Sequence, residues 1–146
     1  MITFETNRLI AKTEMVVSDG RMIEKPNLKA SKVDLLGKKP TTGFESAFRF
    51  FLKDTGEEVC NIGITHHRER YEIECRTVDK FQNQGFMSEA LTSLIEWISM
   101  NTKEETLWAL PISRTSAHII VDKCGFEFFE PSADGDGLNW YIYHLR

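Results

Sequence analysis

Between residues 71 and 100 the hydrophobic pattern of the chain changes from that of a strand to that of a helix, and this switch constrains the fold more than any other feature. Tyr71 to Val78 reads as a strand. From Gln84 to Met100, the residues Met87, Ala90, Leu91, Leu94, Ile95 and Ile98 recur at i, i+3, i+4 spacing, the stripe of an amphipathic helix packed on a sheet. The join is Phe81-Gln82-Asn83-Gln84-Gly85-Phe86-Met87-Ser88-Glu89-Ala90, a short polar turn with one glycine. Such a junction presents backbone N–H groups at the positive end of a helix, which suits a phosphate group. Every helix start has free N–H groups, so these residues alone also fit a plain strand-to-helix turn.

The rest of the chain builds outward from this unit. Arg8 to Val17 reads as a first strand, and Ser18 to Gly43 as a weakly patterned stretch holding one or two short helices. Ala47–Lys53 and Glu58–Thr65 flank the turn Asp54-Thr55-Gly56-Glu57 as a hairpin. His66-His67-Arg68-Glu69-Arg70 turns the chain into Tyr71–Val78. After the helix, Thr106–Ile112 is a short strand closed by Pro111. A second helix runs from about Arg114 to Cys124, with Gly125 as its stop. Phe126–Glu130 and Leu138–His144 close the chain as a hairpin. This order gives a mixed sheet with helices on its faces, an α/β (α+β) fold in one domain spanning 1–146.

Composition excludes several classes of partner. A net charge of −4 argues against nucleic acid, which wants a basic face. Met1 to Glu5 has neither the basic nor the apolar region of a signal peptide. No apolar run approaches the ~20 residues that span a bilayer, so no membrane partner is expected. Cys60, Cys75 and Cys124 stand far apart with no C-x-x-C pair, which points to reduced thiols in a cytoplasmic protein rather than to disulfides or zinc. Adjacent His66 and His67 point to opposite faces if extended and make poor joint metal ligands. Asp134-Gly135-Asp136-Gly137 reads as a turn without the downstream glutamate of a calcium loop. No metal is expected.

Phe81 to Leu91 resembles the coenzyme-binding signature of the GCN5-related N-acetyltransferase (GNAT) superfamily, and the Met87-Ser88-Glu89-Ala90 variant resembles the branch that acetylates ribosomal-protein N-termini (RimJ/RimL-like). Glu5-Thr6-Asn7-Arg8-Leu9-Ile10 is similar to the opening strand of that branch, and Asp122-Lys123-Cys124-Gly125-Phe126 to the end of its second helix. The resemblance implies a seven-stranded, mostly antiparallel sheet, splayed between its fourth and fifth strands, with helices on both faces. It implies acetyl-coenzyme A as co-substrate. The residues that would hold it are Gln82, Asn83, Gln84, Gly85, Phe86, Met87 and Ser88 at the pyrophosphate, and Arg76, Thr77 and Val78 along the pantetheine arm. The resemblance allows a homodimer.

A protonated amine has no lone pair with which to attack, so a base must take its proton. Glu72 matches the position of the family's general base, and Glu74 on the same strand face is second choice; both also fit ordinary solvent-facing strand residues. A backbone N–H near Val78 would stabilise the oxyanion. Trp140 and Tyr141, in the last strand, would contact the acceptor, either a small amine or a protein N-terminus. Three departures stand out: Val121 occupies the place of the family's acid tyrosine, and Arg114 and Ala117 replace its Asn and Ser. Arg114 would reach a coenzyme phosphate instead. These departures motivate the alternative of a non-catalytic acyl-coenzyme A-binding module.

Overall fold

In the computed structural model, residues 2–13, 16–18, 21–23, 47–67 and 70–146 are described. Eight strands make the main sheet: β1 (Ile2–Glu5), β2 (Leu9–Thr13), β5 (Ala47–Leu52), β6 (Glu58–His67), β7 (Arg70–Thr77), β8 (Thr106–Ala109), β9 (Glu127–Pro131) and β10 (Asn139–His144). Their order across the sheet is β1-β2-β5-β6-β7-β8-β10-β9, and every pair is antiparallel except β7 with β8. Two further strands, β3 (Val16–Ser18) and β4 (Arg21–Ile23), pair with each other and, among the described residues, with no other strand.

The architecture is the expected mixed sheet with one strand more than the expected seven. The addition is β1, which pairs with β2 ahead of the strand anticipated from Arg8. Phe4 anchors it, stacked on Trp97 with ring centroids 5.8 Å apart and packed edge-on to Phe50. The stretch expected to be weakly helical begins instead with the β3–β4 hairpin, and its remainder, 24–43, lies outside the described residues. His66 and His67 end β6 rather than forming the anticipated turn.

Helix α1 (Phe86–Asn101) buries the stripe read from the sequence, Met87, Ala90, Leu91, Leu94, Ile95 and Ile98, and Phe86 as well. These side chains share one core with Phe48, Phe50, Ile62, Ile64 and Ile73 of the central strands. A second helical segment, α2 (Arg114–Ala117), runs on through a wider π-helical turn at His118–Lys123 and packs against α1. Gly125, at φ 83, ends it in the left-handed conformation that glycine adopts without strain.

The feature that positions the site is the break between β7 and β8. Their parallel register holds only at Glu72 with Trp108 and Ile73 with Ala109. β8 then ends two residues before Pro111, which has no N–H to continue a ladder. Cys75 and Thr77 therefore extend past the end of β8, and the sheet splays where the notional fourth and fifth strands part.

Candidate active site

The turn from β7 into α1 is built to leave helix N–H groups open. A single 3₁₀ turn at Asp79–Phe81 brings the chain round, Asn83 takes the left-handed conformation at φ 61, and Gly85 is the N-cap at φ 79. Gly85 has no side chain to fold back on the first turn, and no side chain caps α1. The N–H groups of the opening turn are thus presented at the positive end of a sixteen-residue helix. They face an open cleft of about 560 Å³ lined by Gln82, Asn83, Gly85, Phe86, Met87 and Ser88, with Thr77 and Cys75 on its floor. Gln84, expected to contribute its backbone N–H, is not among the lining residues, and its side chain donates to the Lys80 carbonyl at 3.0 Å.

Hydrogen-bond parity along β7 narrows the expected oxyanion donor near Val78 to Thr77. The Val78 N–H donates to the Val59 carbonyl at 2.8 Å and is engaged by β6. In an antiparallel pair, alternate residues direct their N–H and C=O to opposite neighbours. Thr77 and Cys75 therefore turn their backbone groups away from β6, toward the edge that β8 leaves open. The backbone available to an extended ligand belongs to Cys75 and Thr77, not to Arg76 or Val78.

The opposite wall of the cleft escaped the sequence analysis. It is made by Ser113, Thr115 and Ser116, then Ile119, Ile120 and Lys123 from the π-helical turn. Ser113 caps α2 by accepting from the Ser116 N–H at 3.1 Å, and the two hydroxyls lie 3.0 Å apart. A polar pair three residues apart is thus present, one position before Arg114 and Ala117, where it was sought. Arg114 itself is exposed and outside the lining. Lys123 brings a positive charge to this wall. Among the described residues no tyrosine lines the cleft: Tyr143 packs on Phe126 with centroids 5.4 Å apart, and Tyr141 on Phe128.

Glu72, Glu74 and Arg76 lie on the face of the sheet opposite the helices, because Tyr71 and Ile73 between them enter the core. Glu74 pairs with Arg76 at 3.2 Å. Glu72 sits opposite Trp108 at the mouth of the splay. Trp140 joins this face, near Trp108 with centroids 6.4 Å apart, around the guanidinium of Arg70, which lies 4.0 Å over Trp108. Alternation sends Tyr141 to the helix side, so the two expected acceptor residues do not share one surface.

The cysteines are chemically quiet. Burial pushes the Cys60 thiol up to about 12, and it raises Cys75 and Cys124 as well. Cys75 thus reaches the cleft floor as a protonated thiol, not as a nucleophile.

Compared by sequence, the chain matches no protein-family model and no curated protein. Compared by structure, it is similar to an acetyltransferase from Agrobacterium tumefaciens, 20% identical, with a TM-score of 0.68 over 99% of this chain and 95% of the other. It is also similar to a GNAT-family acetyltransferase from Bacillus anthracis, 15% identical, with a TM-score of 0.66 and 99% of both chains covered. A third likeness is to RimL, a ribosomal L7/L12 alpha-N-protein acetyltransferase, 15% identical, with a TM-score of 0.52 over 68% of this chain and 70% of that one. At these identities the likeness is one of fold: the mixed sheet and its helices are an arrangement shared with solved acetyltransferases.

Proposed function

We propose that this protein is an N-acetyltransferase that moves an acetyl group from acetyl-coenzyme A to a primary amine by direct attack in a ternary complex. One observation carries the proposal. The uncapped start of α1 and the unpaired edge of β7 open on the same cleft, so one side offers N–H groups for a pyrophosphate and the other a strand edge for an extended arm. The fold, common to solved acetyltransferases, supports the same reading. The hydroxyls of Ser113 and Ser116 and the ammonium of Lys123 give the far wall the polarity a phosphorylated carrier needs.

When bound, acetyl-coenzyme A supplies a thioester carbonyl to the amine. The first-turn N–H groups of Phe86, Met87 and Ser88 hold its pyrophosphate. The backbone of Cys75 and Thr77 aligns the arm as an added strand and offers N–H groups to the developing oxyanion. Glu72, on the acceptor face, takes the amine proton directly or through a water. The new N–C bond forms as the C–S bond breaks, and the thiol leaves with a proton from solvent, its ordinary pKa of about 8.5 making a dedicated acid dispensable. Trp108 and Trp140 wall the acceptor side, which takes a small amine or a protein N-terminus.

The test is thiol release from acetyl-coenzyme A across a panel of polyamines, amino acids and N-terminal peptides. Release that requires both an amine and Glu72 supports the transferase. Coenzyme binding with no amine-dependent release across the panel favours the second reading, a non-catalytic acyl-coenzyme A-binding module. The observation on that side is Val121 in place of a tyrosine, with no tyrosine on the cleft among the described residues.

A further inference from the structure

Two sequence segments far apart in the chain, residues 5–10 and 82–90, meet behind the cleft through one arginine. Glu89, in the first turn of α1, accepts from the Thr6 hydroxyl at 2.5 Å, the Arg8 backbone N–H at 2.8 Å and the Arg8 Nε at 2.7 Å. The Arg8 guanidinium then reaches over the turn itself. Its Nη1 donates to the Gln84 carbonyl at 3.2 Å, and its carbon lies 4.0 Å over the Phe86 ring. Gly85 lies between them, and a Cβ there would make ordinary van der Waals contact with Arg8 Nη2 at 3.6 Å. One side chain from the β1–β2 connection thus contacts the cradle turn on both sides of Gly85, at Gln84 and at Phe86.

The charges explain why an arginine stands there. A carboxylate in the first turn favours the helix dipole, yet it repels an anion bound at the same helix end. Burial works against ionising Glu89, but the Thr6 hydroxyl and both donors of Arg8 outweigh it and hold the carboxyl below its ordinary range. Glu89 is therefore charged at neutral pH, and Arg8 neutralises it.

We propose that Arg8 is the positioning residue of the coenzyme cradle: it fixes the Gln84–Phe86 turn so that the N–H groups converge, and it cancels the Glu89 charge that would oppose a pyrophosphate. This rests on the acetyltransferase reading and assigns Arg8 no contact with the reacting atoms.

The experiment is calorimetric titration of coenzyme A into the wild type, Arg8→Ala, Arg8→Lys, Glu89→Gln and the Arg8→Ala/Glu89→Gln pair. Arg8→Ala is expected to weaken coenzyme A by roughly tenfold, the effect of one lost charge-assisted contact. Arg8→Lys recovers part of that loss through its charge, and the double variant binds more tightly than Arg8→Ala because the uncompensated carboxylate is gone. In the transfer assay, Arg8→Ala raises the KM for acetyl-coenzyme A and leaves kcat within about twofold, a split that follows from uniform loss of binding. Should Arg8→Ala fail to fold, Glu89→Gln, which keeps one acceptor oxygen, puts a donating NH2 in place of the other and removes the guanidinium's charge partner, is expected to shift the salt dependence of coenzyme A binding. Wild-type affinity in Arg8→Ala, or an unchanged salt dependence in a Glu89→Gln tested in its stead, overturns the assignment of Arg8 alone. Failure of the wild type to bind coenzyme A overturns the acetyltransferase reading with it.

Discussion

Glu72 stands at the last stretch of β7 that still has a partner on both sides, so paired backbone holds a half-buried carboxylate on the face of the sheet away from α1. Glu74, two residues on, lies beyond the last paired residue of β8, is exposed and pairs with Arg76 at 3.2 Å. Glu72→Gln is accordingly expected to lower kcat about 100-fold or more, the usual weight of a general base, while coenzyme affinity stays put. Glu74→Gln, assayed alongside, is expected to stay within a few-fold of wild type. Equal losses in the two variants would remove the distinction between them. Glu89 makes a different prediction, about stability. Its carboxyl is held below the ordinary value of about 4.3, so its contribution is present above that pH and is lost as pH falls through the lowered folded value. Glu89→Gln should be less stable than wild type at pH 7 in urea titrations, and the gap should close as the pH drops below ~4. A gap of constant size from pH 7 to 3 would contradict the charge-based account of the Thr6–Arg8–Glu89 network.

At the scale of elements, the cradle turn depends on a backbone conformation that side chains resist. Gly85 at φ 79 is expected to cost roughly 1–2 kcal/mol when replaced by alanine and to weaken coenzyme A binding, both readable by titration. The turn and α1 were legible in the sequence because a helix stripe of six apolar positions, all buried in the structure, leaves little freedom of phase. The splay was legible too, through the resemblance and Pro111. The oxyanion donor was legible only as a backbone N–H near Val78, not as a particular residue. Whether Val78 or Thr77 faces the gap depends on which residues bond to β6, and that register is set by a partner strand rather than by β7 itself. Ser113 and Ser116 escaped because they sit one residue ahead of the aligned positions, where the cap begins before the helix does. β1 escaped because four residues carry too short an alternation to stand alone; Phe4 acquires its meaning only from Trp97 and Phe50 across the fold.

Across the whole molecule, one core under α1 joins the cradle to the sheet. Leu94 is fully buried in it, so Leu94→Ala should cost about 2–5 kcal/mol by chemical denaturation and leave the cleft residues untouched. Ligand binding should act in the reverse sense: a coenzyme held at 100 times its dissociation constant adds about 2.7 kcal/mol by mass action, seen as a rise in Tm. The central claim is that the open start of α1 and the unpaired edge of β7 together form a coenzyme site. Calorimetric titration of the wild type with acetyl-coenzyme A, coenzyme A and adenosine 3′,5′-bisphosphate tests it most directly. Micromolar binding of the first two, with much weaker binding of the bisphosphate that lacks the pyrophosphate and the arm, is the predicted result. No binding, or equal affinity for all three, would contradict it.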